Sequence, residues 1–141
     1  MEIPKMISGG KYSDERGHII FNNDFDISEI KRIYCIENTD TDFIRGWTGH
    51  KVQQRWFSAV QGSFTIKLIK IDNWEAPSKK LDISEFRVNS ESLNIIYIPG
   101  GYATAIQAVE SGSKLLVMSD YSFGEIVDDY RFPIGYFEKL K

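Results

Sequence analysis

An all-β sandwich or barrel is predicted by three features of this 141-residue sequence. Short hydrophobic runs recur at near-regular spacing, Gly- and Pro-bearing turns separate them, and a 3.6-residue apolar period is almost absent. The length suits a single domain, residues 1–141, large enough to bury a real core. Closing such a sheet removes exposed edges and leaves a mouth where a ligand can bind.

In chain order, residues 1–11 read as a short strand or arm ending at Gly9-Gly10. Tyr12 to Gly17 is a turn with a charged tip, and Gly17 is expected at positive φ. His18 to Phe21 is a short strand, Asn22-Asn23-Asp24 a turn, and Phe25 to Glu29 suits a brief helical turn. Ile30 to Glu37 becomes mostly apolar and reads as a strand, before a polar loop over 38–42. Strands are expected on either side of Gly49-His50. Ser63 to Asp72 alternates most clearly, with Phe64, Ile66 and Leu68 on one face. Residues 73–80 form a loop carrying Trp74 and Pro77, then a weak strand spans Phe86 to Val88. Leu93 to Ile98 is a strand stopped by Pro99-Gly100-Gly101. Tyr102 to Glu110 reads as strand, with helix as the Ala-rich alternative. Ser111-Gly112-Ser113 is a hairpin turn, and Lys114 to Ser119 an apolar strand. The tail from Gly124 is acidic and then aromatic, its last residues suiting a helix.

Composition narrows the function classes. A formal net charge of −3 gives no electrostatic reason to expect nucleic acid. No run approaches the ~18 apolar residues of a spanning helix, so no membrane association is expected and a cytoplasmic location is the default. The single cysteine, Cys35, excludes an intrachain disulfide; its apolar surroundings predict a buried, inert thiol. With only His18 and His50, one subunit cannot build a three-His metal site, although mixed His/carboxylate sites stay open.

Ile44 to Gly62 is the stretch that carries chemistry. Arg45, His50, Lys51 and Arg55 place three cations and one imidazole within eleven residues, among Trp47, Trp56 and Phe57. As a continuous strand it puts Thr48, His50, Val52 and Gln54 on one face. Gly46, Gly49 and Gly62 permit close backbone approach or tight turns. Asp128-Asp129 and Asp24/Asp26 look like acid pairs but, on turns, read as solvated surface; His18 reads as exposed or capping.

These residues resemble the cupins, small β-barrels of the jelly-roll (double-stranded β-helix) type. Thr48-Gly49-His50, Gln54 and Gly62 sit at the spacing of the first cupin signature, and 99–104 at that of the second. Thr48 and Thr104 stand where two ligand histidines occur, and Gln54 where a carboxylate occurs. Hydroxyl and amide groups bind divalent transition metals poorly, so no metal and no other cofactor is expected. The sequence is similar, over most of its length, to the metal-free cupins that act on deoxyhexulose nucleotides. These are the dTDP-4-dehydrorhamnose 3,5-epimerases and, nearer still, the dTDP-4-keto-6-deoxyglucose 3,4-ketoisomerases. The similarity runs through Asp14-Glu15-Arg16-Gly17, Ile30 to Tyr34, Arg45 to Lys51, the turn at 99–101, and Ser119-Asp120-Tyr121.

The resemblance implies a metal-independent isomerase or epimerase of a nucleotide-linked 4-keto-6-deoxyhexose, in deoxysugar or surface polysaccharide biosynthesis, working as a homodimer. It makes His50 the base that removes a proton beside the ketone, work suited to a group titrating near neutrality. Thr48 occupies the position of the epimerase base and cannot serve as a base at neutral pH. Tyr34 is implied as a proton relay or ketone-polarising group; the later tyrosine falls at Tyr121 or, in the other alignment, at Ser122. Arg45 and Arg16 are implied as phosphate ligands, Arg16 reaching a neighbouring subunit's site. Lys51 and Arg55 add charge, although alternation opposes them to His50 unless a bulge intervenes. Thr48 and Tyr102 join the substrate-binding set. Trp47 lines the base or sugar pocket or packs as a barrel-end core residue. The alternative function is a non-catalytic cupin that binds a nucleotide sugar or another anionic carbohydrate; an interaction module beside a sugar transferase is a third reading.

Overall fold

The computed structural model describes residues 2–137. Its strands are β1 (Lys5–Ile7), β2 (Gly10–Asp14), β3 (Gly17–Phe21), β4 (Arg32–Ile36), β5 (Ile44–His50) and β6 (Arg55–Gln61). They continue as β7 (Ser63–Lys70), β8 (Ile83–Asn89), β9 (Ile95–Ile98), β10 (Tyr102–Ala108), β11 (Lys114–Ser119) and β12 (Tyr130–Arg131). A 3₁₀ turn at Ile27–Glu29 is the helical element among the described residues, started by Asp26, whose carboxylate accepts from the Ser28 N–H.

Two five-stranded antiparallel sheets face each other, one ordered β1-β9-β6-β11-β4 and the other β12-β5-β10-β7-β8; β2 and β3 form a separate hairpin. This is the single-domain jelly-roll architecture of the cupins. The sandwich interior follows from alternation. Phe57 and Ala59, Ile96 and Ile98, and Leu115 and Val117 point inward from the first sheet; Phe64, Ile66, Leu68 and Ile106 meet them from the second. Burying each large side chain contributes about 1.5–3 kcal/mol. The second sheet also carries an outer core, in which Trp47, Ile69, Ala103 and Ala105 are covered by Trp74, Phe132 and Phe137. Gly49 allows this cover, since a Cβ there would lie 2.7 Å from the Trp74 ring.

Most expected elements are present, including the strand rather than the helix at Tyr102–Ala108 and positive φ at Gly17 (126°). Several expectations are corrected. The first hairpin is tighter than expected, because Tyr12 pairs with Ile19 and only Glu15-Arg16 turn. The segment after Ile44 is not continuous: β5 ends at His50 and residues 51–54 turn before β6. Cys35 is exposed, because β4 is an edge strand and alternation turns Arg32, Tyr34 and Ile36 inward, leaving Ile33 and Cys35 outside. Residues 132–137 are turns packed on the outer core, and the helix expected at the very end lies mostly outside the described residues. No helix among the described residues is long and apolar enough to cross a membrane.

Candidate active site

A cavity of about 790 Å³ opens between the sheets, lined from β4 by Arg32 and Tyr34, from β5 by Arg45, Thr48 and His50, and from β6 by Arg55. A register shift explains the β5 set. Opposite β10, Thr104 pairs with Thr48 while Ile106 pairs with Arg45, so β5 holds one extra residue between them. Without this bulge, Arg45 and Trp47 would share a face. With it, Arg45, Thr48 and His50 all line the cavity, and Trp47 turns to the outer core.

His50 is fixed by the segment leading into β12. Its Nδ1 lies 2.8 Å from the Asp128 carbonyl oxygen. A carbonyl only accepts, so Nδ1 carries the proton and Nε2 keeps its lone pair for the cavity. The Asp128 carboxylate, itself buried, accepts from the backbone N–H groups of Lys51, Val52 and Gln53 at 2.8–2.9 Å. It thereby shapes the turn that ends β5 and lets β6 restart with Arg55 inward. Burial, with the nearby Arg55 cation, pushes the His50 pKa down to about 4, against an opposing pull from Asp128 and Asp129. At neutral pH His50 is an uncharged base.

Arg55 is 4% exposed, bridges the sheets through a 3.2 Å hydrogen bond from Nη1 to Thr104 Oγ1, and sits 5.2 Å from the Phe57 ring centroid. Its Nε is buried without a partner. Burial lowers its pKa to about 10, which leaves it a cation at neutral pH. Arg45 donates from Nε to Asn38 Oδ1 at 3.2 Å, leaving its terminal nitrogens for an acceptor. Arg32 lies over Tyr34 and the exposed Phe123, 4.5 and 4.9 Å from their ring centroids. Arg131 also lines the cavity, paired with Asp129 at 3.1 Å.

Of the residues singled out in the sequence, the structure brings Tyr34, Arg45, Thr48, His50 and Arg55 together. The others lie elsewhere. Trp47 packs edge-on against Phe137 in the outer core, where the bulge directs it. Tyr102 is packed in the sandwich interior, and Lys51 sits exposed on the turn. Arg16 is on the β2–β3 hairpin, its side chain 78% exposed and paired with Asp14. Tyr121 is outside the cavity lining, and Ser122 and Phe123 occupy it instead. Gln54 faces away from His50, donating to Asp120, with its Oε1 accepting from Tyr97 Oη. The sequence reading missed Arg32, which shares Tyr34's face by simple alternation. The reading of Asp128 as solvated surface is corrected: it is buried, and its partners lie more than seventy residues away and leave no local signal.

The donor set of a metal-binding cupin does not fit this site. Around His50 stand two threonine hydroxyls and a buried guanidinium, and a fixed cation repels a divalent ion. Among the described residues no three of His, Cys, Asp and Glu gather at metal-ligating distance.

No curated protein matches the chain. Among solved structures it is similar to the QdtA 3,4-ketoisomerase of Thermoanaerobacterium thermosaccharolyticum, a double mutant in complex with TDP (25% identity, 95% of this chain and 91% of that one, TM-score 0.70). It shares its fold with the WlaRB TDP-quinovose 3,4-ketoisomerase of Campylobacter jejuni (23%, 89% and 92%, 0.65). It also shares the fold of the dTDP-4-dehydrorhamnose 3,5-epimerase of Bacillus anthracis (14%, 89% and 76%, 0.69). The family described as FdtA: WxcM-like, C-terminal matches residues 2–140, essentially the whole chain, and the protein belongs to it.

Proposed function

We propose that the protein is a metal-independent 3,4-ketoisomerase of a dTDP-linked 4-keto-6-deoxyhexose. The observation that carries this reading is the pinned His50: Nδ1 is bonded to the Asp128 carbonyl, and Nε2 is an uncharged base at the cavity. Nε2 takes the proton from C3, the C3–H electron pair forms a C3=C4 bond, and the ketone oxygen O4 gains negative charge. Tyr34 relays the O3 proton to O4. The resulting enediolate, its charge now on O3, collapses to a ketone at C3 as C4 takes the proton held by His50. The substrate is isomerised with no change in its redox state.

The diphosphate is held at the mouth, where Arg45 and Arg131 are exposed and their forks match phosphate oxygens. The Arg32–Phe123 pair offers a flat surface for the nucleobase. A homodimer fits the β2–β3 hairpin, which stands apart from both sheets and exposes Tyr12, Arg16 and Ile19. A soluble nucleotide-sugar substrate fits a cytoplasmic enzyme.

Incubating the protein with TDP-4-keto-6-deoxyglucose and assigning the product by NMR tests the reading. Movement of the carbonyl from C4 to C3 is expected. Saturable binding with an unchanged sugar contradicts it and favours the non-catalytic alternative.

A further inference from the structure

Arg55 is the feature of the cavity that the folded chain alone does not explain. The cation of an arginine that is only 4% exposed is destabilising unless its donors are met and its charge is balanced. Here one terminal nitrogen donates to a neutral threonine, Nε is unmet, and none of the ion pairs among the described residues includes it. The acidic groups acting on it, Tyr34, Asp129 and Asp128, all border the cavity. Its position also separates it from the exposed arginines. Arg45 and Arg131 reach solvent, as a hydrated diphosphate requires, whereas Arg55 is buried beside Phe57, close enough to His50 to lower its basicity.

We propose that Arg55, positioned by Thr104, is the catalytic cation that receives the negative charge on the substrate's ketone oxygen as His50 removes the neighbouring proton. This rests on the ketoisomerase reading and adds a role that His50 and Tyr34 cannot fill. A weakly basic imidazole deprotonates carbon only if the carbon acid is strengthened. A fixed cation beside the developing enolate does this in a site sheltered from water, where such a donor is worth ~10²–10³ in rate. The step balances as written above: the C3–H pair moves into C3=C4, the carbonyl pair moves onto O4 against Arg55, and the proton rests on Nε2. Thr104 is a positioning residue, holding one guanidinium nitrogen so that the fork faces the cavity.

The test compares wild type with Arg55→Met, Arg55→Lys and Thr104→Val. It reads turnover of TDP-4-keto-6-deoxyglucose, TDP affinity by calorimetry and thermal midpoint. Arg55→Met is expected to lower kcat by about 100-fold or more, to leave TDP affinity within about threefold, and to melt no lower than wild type, since an unbalanced buried charge has gone. Arg55→Lys keeps the charge and recovers part of kcat; Thr104→Val loses part of it with a smaller change in KM. If Arg55→Met melts too low to assay, the neutral but polar Arg55→Gln takes its place, and wild-type kcat in that variant overturns the proposal. Turnover by Arg55→Met within threefold of wild type, or lost TDP affinity at unchanged kcat, also overturns it and leaves the ketoisomerase reading intact. A wild type that turns over nothing overturns both.

Discussion

His50 Nδ1 and the Asp128 carbonyl oxygen lie 2.8 Å apart although 78 residues separate them in the chain. One residue therefore does two things. Its carbonyl selects the imidazole tautomer, and its carboxylate clasps the turn at 51–53 that follows the base. Base, turn and the inward entry of Arg55 are set together.

Removing the clasp is expected to be costly. Asp128→Ala leaves the N–H groups of Lys51, Val52 and Gln53 without their acceptor, a loss of roughly 2–4 kcal/mol by the worth of charge-assisted hydrogen bonds. Urea unfolding measures it, and kcat should fall as well because His50 loses its fixed orientation. Asp128→Asn, which keeps an acceptor oxygen, should lie between. An Asp128→Ala protein as stable and active as wild type would show that the clasp is incidental.

Buried, uncharged His50 makes stability depend on pH with a definite sign. Its folded-state pKa of about 4 lies below the ordinary 6.5, so between these values the unfolded chain binds the extra proton. The contribution is fully present above pH 6.5, falls as pH drops through this window, and is gone below about 4. Its full size is on the order of 3 kcal/mol. Replacing His50 by Asn should flatten that part of the stability profile. In activity, the acid limb of kcat/KM should fall well below 6.5, and that of kcat should lie higher, because bound diphosphate favours the imidazolium.

Much of the architecture is legible in the sequence because alternation and turn residues are local signals. Phe64, Ile66 and Leu68 mark a strand buried on one face, and Pro99-Gly100-Gly101 marks the turn that ends β9, without knowledge of any partner. The cluster at 44–62 also announces the site. What stays hidden is register. One extra residue in β5 reverses the direction of Trp47 relative to Arg45, and a turn held by a distant carboxylate decides that Arg55, not Gln54, faces the cavity. Cys35 is misjudged for a related reason: an apolar run does not say that its strand is an edge.

The placement of Trp47 is itself testable. Trp47→Ala should cost roughly 3–5 kcal/mol through loss of the outer core, yet leave TDP affinity unchanged in the protein that stays folded. A selective loss of TDP affinity at wild-type stability would return Trp47 to the ligand.

The arginines should separate by location. Arg45→Ala should weaken TDP by about 10- to 100-fold, the worth of one charge-assisted pair. Arg16, exposed on its hairpin, should matter only across a dimer. Loss of TDP affinity in Arg16→Ala, together with complementation when it is mixed with Arg45→Ala protein, would show a site shared between subunits. Unchanged affinity would make each subunit's site its own.

The central claim, that His50 is the base of a sugar ketoisomerase, is tested most directly by proton exchange. Wild type and His50→Asn are mixed with TDP-4-keto-6-deoxyglucose in D₂O and followed by NMR, with TDP affinity measured in parallel. Deuterium should enter at C3 with wild type and fail to enter with His50→Asn, while the two bind TDP within a few-fold of each other. Exchange at the wild-type rate in His50→Asn, or binding without exchange in wild type, would contradict it.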